Sequence, residues 1–221
     1  TVQRLRQDLP RDTALIGFCG APWTVATYMV EGHGSTDQAA ARLWAYRDPE
    51  GFGRLIDLLV DTSADYLEGQ VRACANVLQI FDSWAGSLPA PQFDRWVVRP
   101  TRRLVATLRK RGVTVPIIGF PRGASARARR YAEQTGVDGI GCDTVTSVAT
   151  MKSLADGKVV QGNLDPLRLV AGGQALEEAV DRILSGLGGG PLVFNLGHGI
   201  VPETPIANVE AMLKRIRGAR R

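Results

Sequence analysis

Six short runs rich in Val, Ile or Leu punctuate this chain, and helix-spaced apolar stripes lie between them. The runs are Ala14–Phe18, Val77–Phe81, Val115–Phe120, Gly139–Cys142, Val159–Gly162 and Leu192–Leu196. Each reads as a strand buried on both faces, where apolar residues run on rather than alternate. Leu55, Leu58, Leu59 and Thr62 recur at helical spacing. So do Leu176, Ala179, Val180, Ile183, Leu184 and Leu187, and then Ile206, Val209, Met212, Leu213 and Ile216. Asp48-Pro49, Asp165-Pro166 and Thr204-Pro205 each set a capping side chain before a proline at the first helical position. Gly112 and Gly136 stand where helices would end in a left-handed cap. Strand and helix alternate, so the chain is α/β with a parallel sheet.

Two parallel architectures compete, the open doubly wound sheet and the (β/α)8 barrel. A dinucleotide-binding sheet carries GxGxxG after its first strand, whereas this chain reads GFCGAPW there, and no Walker-type GxxxxGK segment occurs. A barrel gathers its chemistry at the C-terminal ends of its strands. That is where the unusual residues fall: Cys19-Gly20 with Pro22-Trp23, Asp82-Ser83-Trp84, Pro121-Arg122, Cys142-Asp143, Asn163-Leu164-Asp165, and Asn195 through Gly199. The reading is a (β/α)8 TIM-type barrel with about six of its eight strands present. Residues 1–221 are expected to form a single barrel domain whose N-terminal strands lie upstream of Thr1.

Composition narrows the function classes. No apolar run reaches the length of a spanning helix, and the segment TVQRLRQDLPRD has no apolar signal core, so neither a membrane role nor an export signal is expected. Three cysteines without a CxxC do not make a disulfide framework and suit a reducing cytoplasm. The net charge of +5 rests on arginines in Arg99–Arg111, Arg122–Arg130 and Arg215–Arg221. Such a balance suits a polyanionic partner, yet no zinc-finger spacing or RNP-type aromatic run accompanies it. The arginines read as solvated helix faces, and nucleic acid is not expected as a partner.

Five segments then carry a resemblance: GFCGAPWTVATYMVEG (Gly17–Gly32), FDSWAG (Phe81–Gly86), PIIGFPRGA (Pro116–Ala124), QGNLDP (Gln161–Pro166) and FNLGHGI (Phe194–Ile200). In this order and spacing they resemble the uroporphyrinogen decarboxylase family. The resemblance implies a (β/α)8 barrel that removes four acetate carboxyl groups from uroporphyrinogen, giving coproporphyrinogen in haem biosynthesis. It further implies a homodimer, a tetrapyrrole as the small-molecule substrate, and no cofactor or metal, since the protonated pyrrole itself is the electron sink. The family pattern opens with an arginine-rich segment followed by an aspartate assigned to the pyrrole nitrogens. Neither occurs in residues 1–221, so these residues alone are expected to be inactive.

By the same resemblance Tyr28 is a catalytic and substrate-binding residue of the pocket, and Ser83 and His198 bind substrate carboxylates. On their own, Tyr28 reads more readily as a core aromatic and Ser83 as a turn or cap residue. His198 between two glycines is not packing core, and its pKa near neutrality suits it to a carboxylate. Asp82 and Asp143 follow strands, where an aspartate caps the next helix or pairs with arginine more often than it does chemistry. Arg122 reads as a helix start. His33 stands where the family shows glycine, a position tolerable to His if φ is positive there. Related barrels that transfer methyl groups hold zinc through an HxC pattern. Cys19, Cys142 and His198 could imitate such a site, but position 200 is Ile.

Overall fold

The structure is a computed structural model and describes residues 1–219. The chain forms two compact units, Thr1–Gly139 and the residues from Ile140 onward.

The first unit contains α1 (Val2–Asp8), β1 (Ile16–Gly20), α2 (Pro22–Glu31), α3 (Ala39–Arg47) and α4 (Pro49–Arg72). After them come β2 (Val77–Asp82), α5 (Ala90–Phe93), a π turn over Asp94–Val98, α6 (Arg99–Lys110), β3 (Ile117–Pro121) and α7 (Ala128–Thr135). β4 (Gly139–Gly141) begins at the unit's last residue. β1 pairs in parallel with β2, and β2 with β3, with Cys19 opposite Ile80 and Ile80 opposite Gly119. The second unit continues with α8 (Val148–Ala155), β5 (Val159–Leu164), α9 (Pro166–Ala171), α10 (Gly173–Leu187), β6 (Leu192–Leu196) and α11 (Ile206–Gly218). β5 and β6 pair in parallel with Asn163 opposite Asn195. Parallel strands with intervening helices are the repeat from which a (β/α)8 barrel is built, as the sequence pattern requires.

All six expected strands form, β6 with the expected bounds and the other five with shifted ones. The first runs from Ile16 rather than Ala14 and extends to Gly20, because backbone pairing continues beyond the β-prone residues as far as Ala21 N–H to Phe81 O. Asp48 and Asp165 cap α4 and α9, accepting from Gly51 N and Leu167 N at 2.8 and 2.9 Å. Thr204-Pro205 does not repeat the device. Pro205 is itself extended (ψ 133°), α11 starts one residue later, and the buried Thr204 hydroxyl has no partner among the described residues. Gly136 ends α7 with φ 78°, and Gly112 follows α6 with φ 82°.

Registered residues on parallel strands share a face. Gly17, Cys19, Leu78, Ile80, Asp82, Ile117 and Gly119 therefore look one way. That way lie the helices. A Cβ on Gly17 would stand 2.7 Å from Gln70 Oε1 of α4, and one on Gly119 would stand 2.5 Å from Tyr131 Oη of α7. Ile56, Val60, Ala64 and Leu67 of α4 and Leu104 and Leu108 of α6 complete this core. On β1 the odd residues pair toward β2, so the backbone of Phe18 faces the outer edge. There Gln70 Oε1 accepts from Phe18 N–H and Gln70 Nε2 donates to Phe18 O, both at 2.9 Å.

The arginines tie helices together. Within the first unit Arg103 of α6 meets Asp57 of α4, and Arg111 meets Asp65 and Glu68 at 2.6 and 3.2 Å. Within the second, Arg215 of α11 meets Asp181 and Glu177 of α10 at 2.6 and 2.9 Å. These are exposed pairs that balance charge on solvated faces and add little stability individually.

Candidate active site

At the exit of β1 the chain turns directly into α2, with Pro22 at the first helical position and Trp23, Thr24 and Thr27 buried. Trp23 Nε1 donates to Trp84 O at 3.1 Å, and Ser87 Oγ donates to the same carbonyl at 2.8 Å. Thr24 Oγ1 accepts from Trp84 N–H at 3.3 Å and donates to Asp82 Oδ1 at 2.6 Å. The turn that leaves β2 is thus held through both backbone groups of Trp84 by the first turn of α2. Tyr28 lies four residues beyond Thr24, on the same side of the helix. Its ring meets that of Trp84 edge to face, centroids 6.3 Å apart. The structure therefore brings Tyr28 and Ser83 to either side of Trp84. Tyr28 is 47% exposed, so it is not a core aromatic, and Ser83 is half-buried. Neither hydroxyl has a hydrogen-bond partner among the described residues.

On the sheet face opposite the helices, Phe18, Phe81 and Phe120 step across three strands in edge-to-face contacts of 5.7 and 5.8 Å. Exposure falls along the row, from open Phe18 to buried Phe120. Exposed Phe18 and half-buried Phe81 offer apolar ring surface on the face that Ser83 follows, and the Tyr28 and Ser83 hydroxyls flank the β2 exit, a combination suited to a ligand with an aromatic body and polar arms.

Among the described residues Asp82 neither caps a helix nor meets an arginine. It lies on the helix-facing side, entirely shielded from solvent, with Thr24 on Oδ1 and no partner on Oδ2. Burial pushes its carboxyl up to about 7, against the smaller opposing effect of the Thr24 hydrogen bond. Tyr131 shares the region, its phenol pushed up chiefly by burial and further by Asp82. Burial likewise lifts the Cys19 thiol to about 12, with Ser63 alongside, and the Cys142 thiol to about 12 in the second unit. Thiols so raised are inert. Arg122, half-buried after β3, is followed by one 3-10 turn (Ser125–Arg127), and the helix proper begins only at Ala128.

In the second unit His198 follows β6 on an exposed bend. Gly197 is buried there, and a Cβ on it would come within 2.5 Å of Thr144 N. That glycine is needed for the chain's own close approach to the Asp143–Thr144 backbone; Gly199 faces open space. Asp143 accepts from Thr146 Oγ1 at 2.8 Å, a local turn contact. Asn163, one of the polar residues expected at the exit of β5, donates to Asp143 O and Thr146 O at 2.8 and 2.6 Å and fixes the loop after β4. His33 is not in the left-handed region; among the described non-glycine residues only Gln38 and Cys74 have positive φ. Among the described residues no group of three His, Cys, Asp or Glu side chains is arranged to hold a metal.

Taken together these features define a protein of the β/α-repeat class that presents polar side chains at the C-terminal ends of parallel strands. The chain belongs to the uroporphyrinogen decarboxylase (URO-D) family, whose family model matches residues 1–219. It is 58% identical to the uroporphyrinogen decarboxylase of Mesorhizobium japonicum over 221 residues, and 55% identical to that of Chelativorans sp. over 220. Each alignment covers the whole of this chain and 64% of the relative, so the chain spans about two-thirds of the length of these relatives or slightly less. Among solved structures, a methyltransferase from Methanosarcina mazei matches with a TM-score of 0.83 at 19% identity, covering 100% of this chain and 63% of that one. A B12-independent methionine synthase from a Shewanella species matches at 0.61 and 12%, covering 99% and 64%. These two likenesses are likenesses of fold.

Proposed function

We propose that the protein carrying this chain is a uroporphyrinogen decarboxylase, converting uroporphyrinogen III to coproporphyrinogen III by removing four acetate carboxyl groups. The observation that carries this reading is the pair of uncommitted hydroxyls, Tyr28 and Ser83, around Trp84 beside the Phe18–Phe81–Phe120 row. Pyrrole rings suit the aromatic row, and acetate or propionate arms suit hydroxyl and imidazole donors. In this reading Ser83 and His198 each take a substrate carboxylate, and Tyr28 donates its hydroxyl beside the reacting pyrrole. Protonating a pyrrole carbon turns the ring into an electron sink. CO2 then leaves the acetate arm, the remaining methylene takes a proton to become a methyl, and the ring carbon gives up its added proton, which restores the pyrrole. Donors fixed before the reaction stabilise the charge that develops.

Family membership also supports a single barrel domain, a cytoplasmic homodimer and a small-molecule partner only. No helix among the described residues is long and apolar enough to cross a membrane. A methyltransferase reading would need a thiol ligand near His198, and GHGI has isoleucine at position 200.

The test is anaerobic incubation with uroporphyrinogen III and chromatography of the products. Residues 1–221 are expected to bind the octacarboxylate without decarboxylating it, because the arginine-rich segment and aspartate of the family pattern are not among them. A chain that also carries those segments is expected to yield coproporphyrinogen. Failure of both binding and turnover would overturn the proposal.

A further inference from the structure

The β2 exit has a part that no ligand would touch. We infer that Asp82 is a positioning residue: it orients the Thr24 hydroxyl, and through it the Ser83–Trp84 turn, from behind the sheet. The inference rests on the proposed ligand site at that turn for its functional consequence, but its geometry stands independently.

The contacts form one directed chain. Asp82 Oδ1 accepts the Thr24 hydroxyl proton at 2.6 Å, which leaves the Thr24 oxygen lone pairs turned toward Trp84 N–H at 3.3 Å. A hydroxyl is a single donor, so a partner that claims its proton also fixes where it can accept. Thr24 is 5% exposed and Asp82 is wholly buried, so water does not compete for either group. Asp82 is the last residue of β2, and Ser83 is the next in the chain. Fixing the carboxyl on the helix side and Trp84 N–H on Thr24 therefore pins Ser83 between two anchored neighbours. Trp23 and Ser87 hold the Trp84 carbonyl, so Thr24 alone among these contacts restrains its N–H. Asp82 itself looks away from the Phe18–Phe81–Phe120 face, as its register with Pro121 and Ile80's with Gly119 require. It cannot exchange a proton with a ligand on that face, which excludes it as an acid or base there.

The experiment uses the full chain with uroporphyrin, the oxidised octacarboxylate, as the probe. Two readouts are taken: backbone hydrogen exchange over Ser83–Ser87, and the dissociation constant for uroporphyrin. Thr24→Val keeps the shape and removes both hydrogen bonds. It should speed exchange in that segment and weaken binding, each by about tenfold, the scale of one neutral hydrogen bond. Thr24→Ser should restore both. Asp82→Ala should act like Thr24→Val, and the double variant should cost no more than the worse single change, because all act through one contact. Wild-type exchange and binding in a folded Thr24→Val protein would overturn the inference, as would additive effects in the double variant. If Asp82→Ala does not fold, the Val and Ser variants at position 24 still decide it. If the wild type binds no uroporphyrin, the proposed function fails, while the exchange measurement continues to test the positioning role.

Discussion

Thr24 and Asp82, 58 residues apart, share a 2.6 Å hydrogen bond in a site closed to solvent, and among the described residues no cation pairs with the carboxyl. A buried acid without a counter-charge resists ionisation, and this one is pushed up to about 7.

Stability should therefore depend on pH through Asp82. Its folded pKa, about 7, exceeds the ordinary 3.8. Its contribution is fully present below the ordinary value and is lost as pH rises toward 7, because only the unfolded chain then ionises freely. The other titratable groups facing this region, Tyr131 and Cys19, stay neutral across that window. In urea titrations the stability of Asp82→Asn relative to wild type should grow between pH 4 and 7 by up to about 4 kcal/mol, at about 1.4 kcal/mol per unit, and then level off. Parallel curves for the two proteins would show that Asp82 ionises normally.

Tyr131 carries a second testable oddity. Its hydroxyl is buried without a well-formed hydrogen bond, so Tyr131→Phe should be neutral or stabilising, within about 1 kcal/mol. Gly119→Ala should cost about 1–3 kcal/mol through the clash with that ring, and the Phe background should recover only part of it. Thermal denaturation of the three variants is sufficient. A large loss in Tyr131→Phe would mean that the phenol has an essential partner.

For the ligand site, Tyr28→Phe and Ser83→Ala should leave stability within about 0.5 kcal/mol of wild type, because neither hydroxyl is used internally. Ser83→Ala and His198→Asn should each weaken uroporphyrin binding by about ten- to a hundredfold, the scale of a charge-assisted hydrogen bond. Fluorescence titration measures this directly. Wild-type affinity in a folded variant would remove that residue from the site.

Replacing Gln70 with Ala should strip Phe18 of both edge hydrogen bonds, costing about 1–3 kcal/mol and raising the exchange rate of the Phe18 amide. An unchanged rate would show that the amide is protected by something other than Gln70.

The sequence disclosed what local physics controls. Val77–Phe81 and Leu192–Leu196 announce strands by composition, and Asp48-Pro49 announces α4 by a cap whose partner lies three residues away. Gly20 and Pro121 were missed as strand residues, since they join their strands without any β preference of their own. α3 was not legible because its first turn follows Gln38 in a left-handed conformation with no capping side chain. At the site, Tyr28 and Ser83 are legible through the motif resemblance and Asn163 as a polar residue at a strand exit, whereas the contacts of Thr24, Gln70 and Asn163 are not. Their partners lie 58, 52 and 17–20 residues away, distances at which spacing carries no signal. Asp82 was visible as a residue but its orientation was not, because one residue of register decides which face a strand side chain joins.

The Gln70 amide also determines what β1 can do in company. An exposed strand edge is a template on which any extended segment, including one from another copy of the chain, can lay down a ladder. At Phe18 the two groups such a segment would use are already taken, by an amide that copies the donor and acceptor of a peptide bond. An incoming strand would have to displace Gln70 or bulge around that residue, pairing only at the positions before and after it. Gln70 thus discriminates by geometry among the strands that could join β1 here, whichever part of the protein or whichever copy supplies them.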